Sequence, residues 1–452
     1  MTHAGRMLVT LALGWLLAVS SEGMAAAASL GEQTVIREPV FQGRATVYES
    51  GRQHNKSVVL IHGIGDNAAL DWQALVPQLA REYRVLTFDL PGFGRSDKAN
   101  VLYSPANYAA FVKHVVEKYI HGPFYLVGHS MGGAVALRYA ATYPRDVERL
   151  VLVDVAGILH RSSYSQYLSH LGVSLLPNYF PGQSEQIGKL IGLVLGKAER
   201  LNLDPELVVG NATMRQKVLQ ASPAKIAGLA LVMDDFSELI PRVSAPTLIV
   251  WGKNDPIAPL RTGLLLQATL PDARLEVLEN SEHVPMQDNA DKFNALVLGH
   301  LHATATAPVP QRATPAATTR TGRCERRQGM SFQGDYDRLV IRDCKNAVLR
   351  DVRARRLEIF DSSVEIESSD IGDGLRIEDS TLTMTGGNIR GTIAITALSS
   401  HLDLAGVTIA ATELAVRAPL ESDLIFSVCR VNSPHIQGGL HTYKVIGPRN
   451  SM

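Results

Sequence analysis

The sequence predicts two domains: a doubly wound, mostly parallel α/β domain with a helical cap, followed by an all-β domain. Short apolar runs alternate with longer amphipathic stretches over residues 35–303, and residues 304–322 are rich in Ala, Thr and Pro. Beyond this linker, over residues 323–452, a strand-like pattern recurs every 18 residues. A chain of 452 residues also exceeds one ordinary hydrophobic core, so more than one domain is expected.

Residues 1–28 have the features of a cleavable signal peptide. Arg6 supplies the positive end, Met7–Val19 is apolar, and Ala25–Ala28 offers cleavage sites. The alternative is a membrane anchor, but the apolar run is shorter than the roughly 20 residues that a spanning helix needs. We therefore expect an exported protein, periplasmic or secreted, that is cleaved near Ala28.

Six short apolar runs in the first domain end at polar residues or glycine, which is typical of buried parallel strands. The amphipathic stretches between them predict helices on both faces of one sheet. The predicted strands are Ser57–Ile61, Tyr83–Phe88, Phe124–Val127, Leu150–Val153, Pro246–Val250 and Leu275–Leu278.

Residues 157–238 interrupt this alternation because they contain no clear strand. They carry apolar helical patterns such as Ile187–Ala198 and Ala224–Met233. We expect a helical insertion that covers the carboxyl ends of the strands, where ligands bind in such sheets. The alternative is that these helices only extend the core.

The 18-residue repeat predicts coils of a β-solenoid, or right-handed β-helix, with neighbouring coils about 4.8 Å apart. An antiparallel sandwich is the alternative, but equal spacing is not expected there. In a solenoid Glu358 would lie beside Arg376. Two sets of residues would stack in phase, namely Ile341, Ile359, Ile377 and Ile395, and Val348, Ile366, Met384 and Leu402.

Charge and cysteine content limit the possible binding partners and the possible cellular compartment of the protein. The formal net charge is zero, which argues against nucleic acid as a partner. The three cysteines, Cys324, Cys344 and Cys429, lie in the last third without metal-ligand spacing. One disulfide with a free thiol is compatible with export, as are three unpaired thiols, and the pairing is open.

A serine nucleophile is predicted within Val127–Gly132. An apolar strand meets a G-x-S-x-G motif around Ser130, and a helical pattern follows from Met131 to Tyr143. This strand–turn–helix context holds a serine on a tight turn with its hydroxyl exposed. Glycines flank the serine because the backbone is crowded there.

A serine needs a base, and the base needs an acid that fixes its tautomer. His283 follows the Leu275–Leu278 strand, and Asp255 follows Leu248–Gly252, giving the order Ser, Asp, His. Asp154, at the end of another strand, is the rival acid. His62 and His129 lie in glycine-flanked turns and are expected to orient the backbone.

The reaction also requires hydrogen-bond donors for the oxyanion. The amide of Met131 directly follows the nucleophile at a helix N-terminus. The second donor is expected in the glycine-containing loop after the first strong strand, and we assign it to the amide of Ile64.

These motifs together resemble the α/β-hydrolase superfamily over residues 35–303. The resemblance implies an eight-stranded fold, a helical cap and a Ser130–His283–Asp255 triad. It is nearest to serine esterases and lipases and to C–C bond hydrolases, and a serine at position 130 argues against dehalogenases and epoxide hydrolases. The motifs that carry it are His62–Gly65, Phe88–Asp97, Gly128–Gly133, Trp251–Asp255 and Glu282–Pro285.

The expected function is hydrolysis of a small carboxylic ester through an acyl-Ser130 intermediate. A cap rich in Leu, Ile and Val favours an apolar acyl group. The alternatives are amide, acyl-transfer or C–C substrates for the same three residues, or a binding protein that contacts envelope, glycan or protein through residues 323–452. No metal or organic cofactor is implied.

Overall fold

The computed structural model describes residues 29–170, 204–303 and 319–452. The predicted signal peptide, the helical pattern at Ile187–Ala198 and most of the predicted linker lie outside these residues. Within the described ranges, no helix combines the length and apolar character that crossing a membrane requires.

The first sheet has eight strands in the order β1-β2-β4-β3-β5-β6-β7-β8. The pairs β1–β2 and β2–β4 are antiparallel and the others are parallel. This confirms the predicted α/β class. The strands are β1 (Glu32–Arg37), β2 (Arg44–Ser50), β3 (Ser57–Ile61), β4 (Arg84–Phe88), β5 (Phe124–His129), β6 (Val147–Val153), β7 (Thr247–Gly252) and β8 (Ala273–Leu278).

The six predicted strands correspond to β3 to β8, and β1 and β2 were not predicted. Every residue of β3, β5 and β7 is buried, so these strands are continuous apolar runs. The edge strand β1 is mostly exposed and correspondingly polar, so it contains no apolar run from which it could be predicted.

Helices pack on both faces of this sheet, because alternate residues of β3 belong to two separate apolar clusters that each include helices. The described parts of residues 157–238 contain helices and no strand. The described α-helices are α1 (Val76–Leu79), α2 (Pro105–Tyr119), α3 (Met131–Thr142), α4 (Arg161–His170), α5 (Pro205–Gly210), α6 (Ala212–Leu219), α7 (Pro223–Val232), α8 (Leu260–Thr269), α9 (Pro285–Asp288) and α10 (Ala290–His302).

Residues 319–452 form a second, mostly parallel ten-stranded sheet, called here the C-terminal β domain. Each strand pairs with the equivalent strand one coil later, which is consistent with a β-helix-like domain. Its last strand is antiparallel. The strands are β9 (Thr321–Glu325), β10 (Ser331–Arg342), β11 (Ala347–Phe360), β12 (Ser363–Ile371), β13 (Leu375–Glu378), β14 (Thr381–Leu398), β15 (His401–Ala405), β16 (Thr408–Arg417), β17 (Ser422–Asn432) and β18 (Gln437–Ile446).

The coil length is not constant, which corrects part of the predicted register. Ile341, Ile359 and Ile377 stack as expected, but Ile377 then pairs with Ala397, and Ile395 pairs with Leu375. The offset between paired residues rises from 18 at Ile371 and Ile389 to 20 at Leu375 and Ile395, so this coil is two residues longer.

The second predicted stack is likewise only partly correct. Ile366 pairs with Met384, whereas Leu349 takes the place expected of Val348 and Leu404 the place expected of Leu402.

The structure also shows the ion pairs and the cysteine pairing of this domain. Glu358 and Arg376 are adjacent as predicted. The Glu358 carboxylate nevertheless pairs with Arg338 at 2.7 Å, and Arg376 pairs with Glu378. The open cysteine pairing is resolved: Cys324 and Cys344 form a disulfide and Cys429 is a buried free thiol.

The two domains share a packed interface. Ala405 and Val428 of the C-terminal β domain belong to the main apolar core of the α/β domain. Gly386 and Gly406 have positive φ angles of 67° and 64°, and a Cβ on Gly386 would lie 2.8 Å from the Cβ of Ala268 in α8. The absence of a side chain at these two positions therefore permits close approach of α8.

A histidine at this interface makes stability depend on pH. The His160 ring lies 5.1 Å from the His441 ring, and its Nδ1 accepts a hydrogen bond from the Ser162 amide. Burial, followed by the charges of His441 and Arg161, lowers the pKa of His160 from 6.5 to about 4, against the opposing effect of Asp403 and Asp235.

We predict that stability falls as the pH decreases from 6.5 to about 4. Over this window the unfolded chain protonates His160 whereas the folded protein does not, so acid favours unfolding. Melting temperatures across the range should fall less steeply in His160→Gln than in wild type. The exposed His121→Gln serves as the control, and parallel curves for all three proteins would contradict the assignment.

Candidate active site

Ser130 stands between β5 and α3 in a strained backbone conformation. Its φ of 54° lies in the left-handed region, which residues with a side chain seldom adopt. A Cβ on Gly128 would collide with the Gly132 carbonyl, and one on Gly132 would collide with the Ile61 carbonyl. The G-x-S-x-G motif is therefore a steric requirement of this turn.

The structure brings the predicted base and acid to Ser130. The Nε2 atom of His283 lies 2.9 Å from Ser130 Oγ, and its Nδ1 atom lies 2.8 Å from Asp255 Oδ2. All three side chains are buried. Because Asp255 accepts the proton on Nδ1, Nε2 is left to accept the serine hydroxyl, the arrangement that a general base requires.

The Asp255 carboxylate is held by the loop that carries it. Its Oδ1 atom accepts hydrogen bonds from the amides of Ile257 at 2.7 Å and Ala258 at 3.0 Å. With Oδ2 directed at His283, both oxygens are satisfied. The carboxylate is thus fixed in one orientation towards the ring.

The predicted oxyanion loop lies directly against the nucleophile. A Cβ on Gly63 would be 2.8 Å from the Cβ of Ser130, so only glycine allows this approach. His62 binds the Gly63 carbonyl through Nδ1 at 2.6 Å and accepts the Leu90 amide through Nε2 at 2.9 Å. Burial lowers the pKa of His62, which keeps the ring neutral for these two bonds.

The two amides predicted to bind the oxyanion belong to Ile64 and Met131. Ile64 follows Gly63 in this loop, and Met131 is the first residue of α3. The first amides of a helix have no partner within the helix, so they remain available to an anion.

His129 joins the serine turn to the histidine loop. Its Nε2 donates a hydrogen bond to the His283 carbonyl at 2.7 Å, and within the part of the chain that the structure describes its Nδ1 has no hydrogen-bond partner. Burial lowers the pKa of His129 well below 6.5, so the ring is neutral. It orients backbone, as its glycine-flanked position suggested.

Asp154 is not the acid hydrogen-bonded to His283, whose Nδ1 binds Asp255. Its Oδ1 accepts the Gly252 amide at 2.8 Å, and its side chain is fully buried. Burial, followed by the charge of Asp255, raises the pKa of Asp154 well above its usual value. We therefore assign Asp154 as a neutral carboxylic acid that supports the turn after β7.

Three residues near the site were missed at the sequence level. Asp71 accepts a hydrogen bond from Gln287 at 3.1 Å, and burial raises its pKa to about 6. Tyr164 and Tyr167 in α4 donate to the carbonyls of Ile257 and Asp255, at 2.9 and 2.8 Å. No motif marks these residues, because each contact joins segments far apart in the chain.

A family model described as the alpha/beta hydrolase fold matches residues 56–290. The chain belongs to this family. For this α/β-hydrolase, one relative is a 2-hydroxy-6-oxononadienedioate/2-hydroxy-6-oxononatrienedioate hydrolase from a Pseudomonas species. It is 29% identical over 59% of this chain and 94% of that protein. A 2-hydroxy-6-oxo-6-phenylhexa-2,4-dienoate hydrolase from Burkholderia cepacia is 31% identical over 54% of this chain and 87% of that protein.

Solved structures give similar matches to this α/β-hydrolase. A putative lipase from Acinetobacter baumannii is 26% identical with a TM-score of 0.47, covering 62% of this chain and 95% of that chain. An esterase from Exiguobacterium antarcticum is 22% identical with a TM-score of 0.45, covering 60% and 100%. The family and its hydrolase relatives support general hydrolase activity.

Replacing each of the two buried aspartates by asparagine should have very different effects on kcat. We predict that Asp255→Asn lowers kcat by about 10²–10⁴-fold, because the amide removes the charge and disturbs the histidine tautomer. Asp154→Asn should change kcat less than about threefold, since asparagine is also neutral and still accepts the Gly252 amide. Initial rates on a p-nitrophenyl ester measure both, and equal losses would contradict the assignment of Asp154.

Proposed function

We propose that this protein hydrolyses carboxylic esters through an acyl-enzyme intermediate on Ser130. The observation that carries the proposal is the continuous hydrogen-bonded series from Ser130 through His283 to Asp255, at 2.9 and 2.8 Å. An alcohol becomes a nucleophile when such a base removes its proton.

The reaction follows from these contacts. His283 takes the Ser130 proton as Oγ attacks the ester carbonyl, and the oxyanion is bound by the amides of Ile64 and Met131. The imidazolium then protonates the leaving alcohol, which gives the acyl-serine. A water molecule, deprotonated by His283, attacks the acyl group, and the returning proton restores Ser130 and releases the acid.

Burial strengthens the electrostatic part of this mechanism. His283 and Asp255 are 2% and 5% exposed. The Asp255 charge therefore stabilises the transient imidazolium across a medium of low dielectric constant. An ester with an apolar acyl group fits a cap region rich in Leu, Ile and Val.

Cleavage of a C–C bond by the same residues is the second candidate. The relatives named as dienoate or dienedioate hydrolases favour it. One feature relevant to this candidate is Asp71, which lies near enough to His283 for the two charges to interact and whose pKa burial raises to about 6. A carboxylate on the substrate near this position would be repelled above the Asp71 pKa of about 6.

We also propose that the enzyme acts outside the cytoplasm. The predicted signal peptide and the Cys324–Cys344 disulfide support this location, because disulfides persist mainly in oxidising compartments.

Hydrolysis of p-nitrophenyl esters of graded acyl length tests the function. Ser130→Ala should lose about 10³–10⁶-fold in kcat, because it removes the attacking oxygen. Ser281→Ala is the matched control: Ser281 lies two residues before His283, and its buried hydroxyl has no hydrogen-bond partner among the described residues. We expect this control to retain wild-type activity.

Two outcomes would overturn the proposal. Equal ester hydrolysis by wild type and Ser130→Ala would exclude the serine mechanism. A higher kcat/KM on a 2-hydroxy-6-oxo-dienoate than on every ester would assign the site to C–C hydrolysis.

A further inference from the structure

We propose that the C-terminal β domain holds the catalytic acid in place, and that Asp403 is the positioning residue through which it does so. This inference rests on the proposed serine hydrolase function. It gives the second domain a role within the enzyme, in place of binding an external partner.

The central contact is an ion pair across the domain interface. Arg261, the second residue of α8, donates hydrogen bonds to Asp403 Oδ2 at 2.6 Å, Oδ1 at 3.1 Å and the Asp403 carbonyl at 3.0 Å. It also binds Thr385 Oγ1 at 2.8 Å and the Met384 carbonyl at 3.2 Å. A planar guanidinium with this many partners fixes both distance and orientation.

Arg261 lies directly downstream of the Asp255 loop. Pro256 and Pro259 restrict the backbone of the segment between them. Within this segment the amides of Ile257 and Ala258 bind the Asp255 carboxylate. A shift at the start of α8 is therefore transmitted to the acid.

Asp403 also connects to the cap through α4. Its Oδ2 accepts a hydrogen bond from Ser163 Oγ at 2.7 Å. The next residue, Tyr164, donates to the Ile257 carbonyl, and Tyr167 donates to the Asp255 carbonyl. One carboxylate thus contacts both elements that hold the acid loop.

The surrounding interface allows little movement. The Arg261 and Asp403 side chains are 19% and 7% exposed, so water screens their interaction only weakly. The His160 amide donates to Ser427 Oγ at 2.9 Å, and Gly386 and Gly406 allow α8 to approach closely. This interface holds the C-terminal β domain in a fixed position against the α/β domain. A domain attached only through its linker would lack such contacts.

The test compares Asp403→Ala and Asp403→Asn with Asp335→Asn. Asp335 forms a two-bond pair with Arg353 inside the same domain, at 2.6 and 2.9 Å, so it controls for charge loss there. Measured per active site, kcat on a p-nitrophenyl ester should fall about 10–100-fold in Asp403→Ala with little change in KM, because small misplacements of catalytic groups are costly. Asp403→Asn should recover part of this loss, since its amide oxygen still accepts from Arg261.

The pH profile separates positioning from simple destabilisation. A looser Asp255 stabilises the imidazolium less, so the acid limb of kcat/KM should move to lower pH in Asp403→Ala and stay in place in Asp335→Asn. Active-site titration with a fluorophosphonate corrects for unfolded protein. If Asp403→Ala has the wild-type kcat per active site and the acid limb of its kcat/KM profile does not move, the proposal is overturned.

The rate of Ser130 labelling by the fluorophosphonate keeps the two proposals distinguishable. If wild type labels rapidly but hydrolyses no ester, the proposed function fails. The positioning role of Asp403 is then tested by the labelling rate alone. We expect slower labelling in Asp403→Ala, and an unchanged rate would contradict this role.

Discussion

The left-handed backbone at Ser130 is the constraint on which the rest of the site depends. It directs the hydroxyl towards His283, and it exists only because Gly63, Gly128 and Gly132 leave room for neighbouring backbone. Such a conformation costs of the order of 1–3 kcal/mol, which the surrounding core must offset. The fully buried strands β3, β5 and β7 provide that core and end at the same edge of the sheet.

Around this turn, buried polar groups are arranged so that few charges lie in the interior. His62 and His129 are kept neutral and hold backbone carbonyls, and protonated Asp154 supports a turn. The Asp255 carboxylate accepts hydrogen bonds from two amides and from His283. These contacts direct the carboxylate at the ring that the proposed mechanism protonates.

Sequence reasoning succeeded where the signal is local. Apolar runs located six strands. Motifs at strand ends indicated Ser130, Asp255 and His283, which the structure brings within hydrogen-bonding distance, because parallel strands bring their carboxyl ends together. It missed the polar edge strand β1 and the longer coil near Gly391. It could not find Tyr164 or the Arg261–Asp403 pair, since those contacts join residues 93 and 142 positions apart.

The most direct measurement is peptide mapping of the enzyme after acid quenching during turnover of a p-nitrophenyl ester. Quenching protonates His283 and traps the intermediate before water removes the acyl group. The account predicts one acyl group per chain on the peptide that contains Ser130, and none in Ser130→Ala. An acyl group on another residue, or ester turnover with no adduct at Ser130, would contradict it.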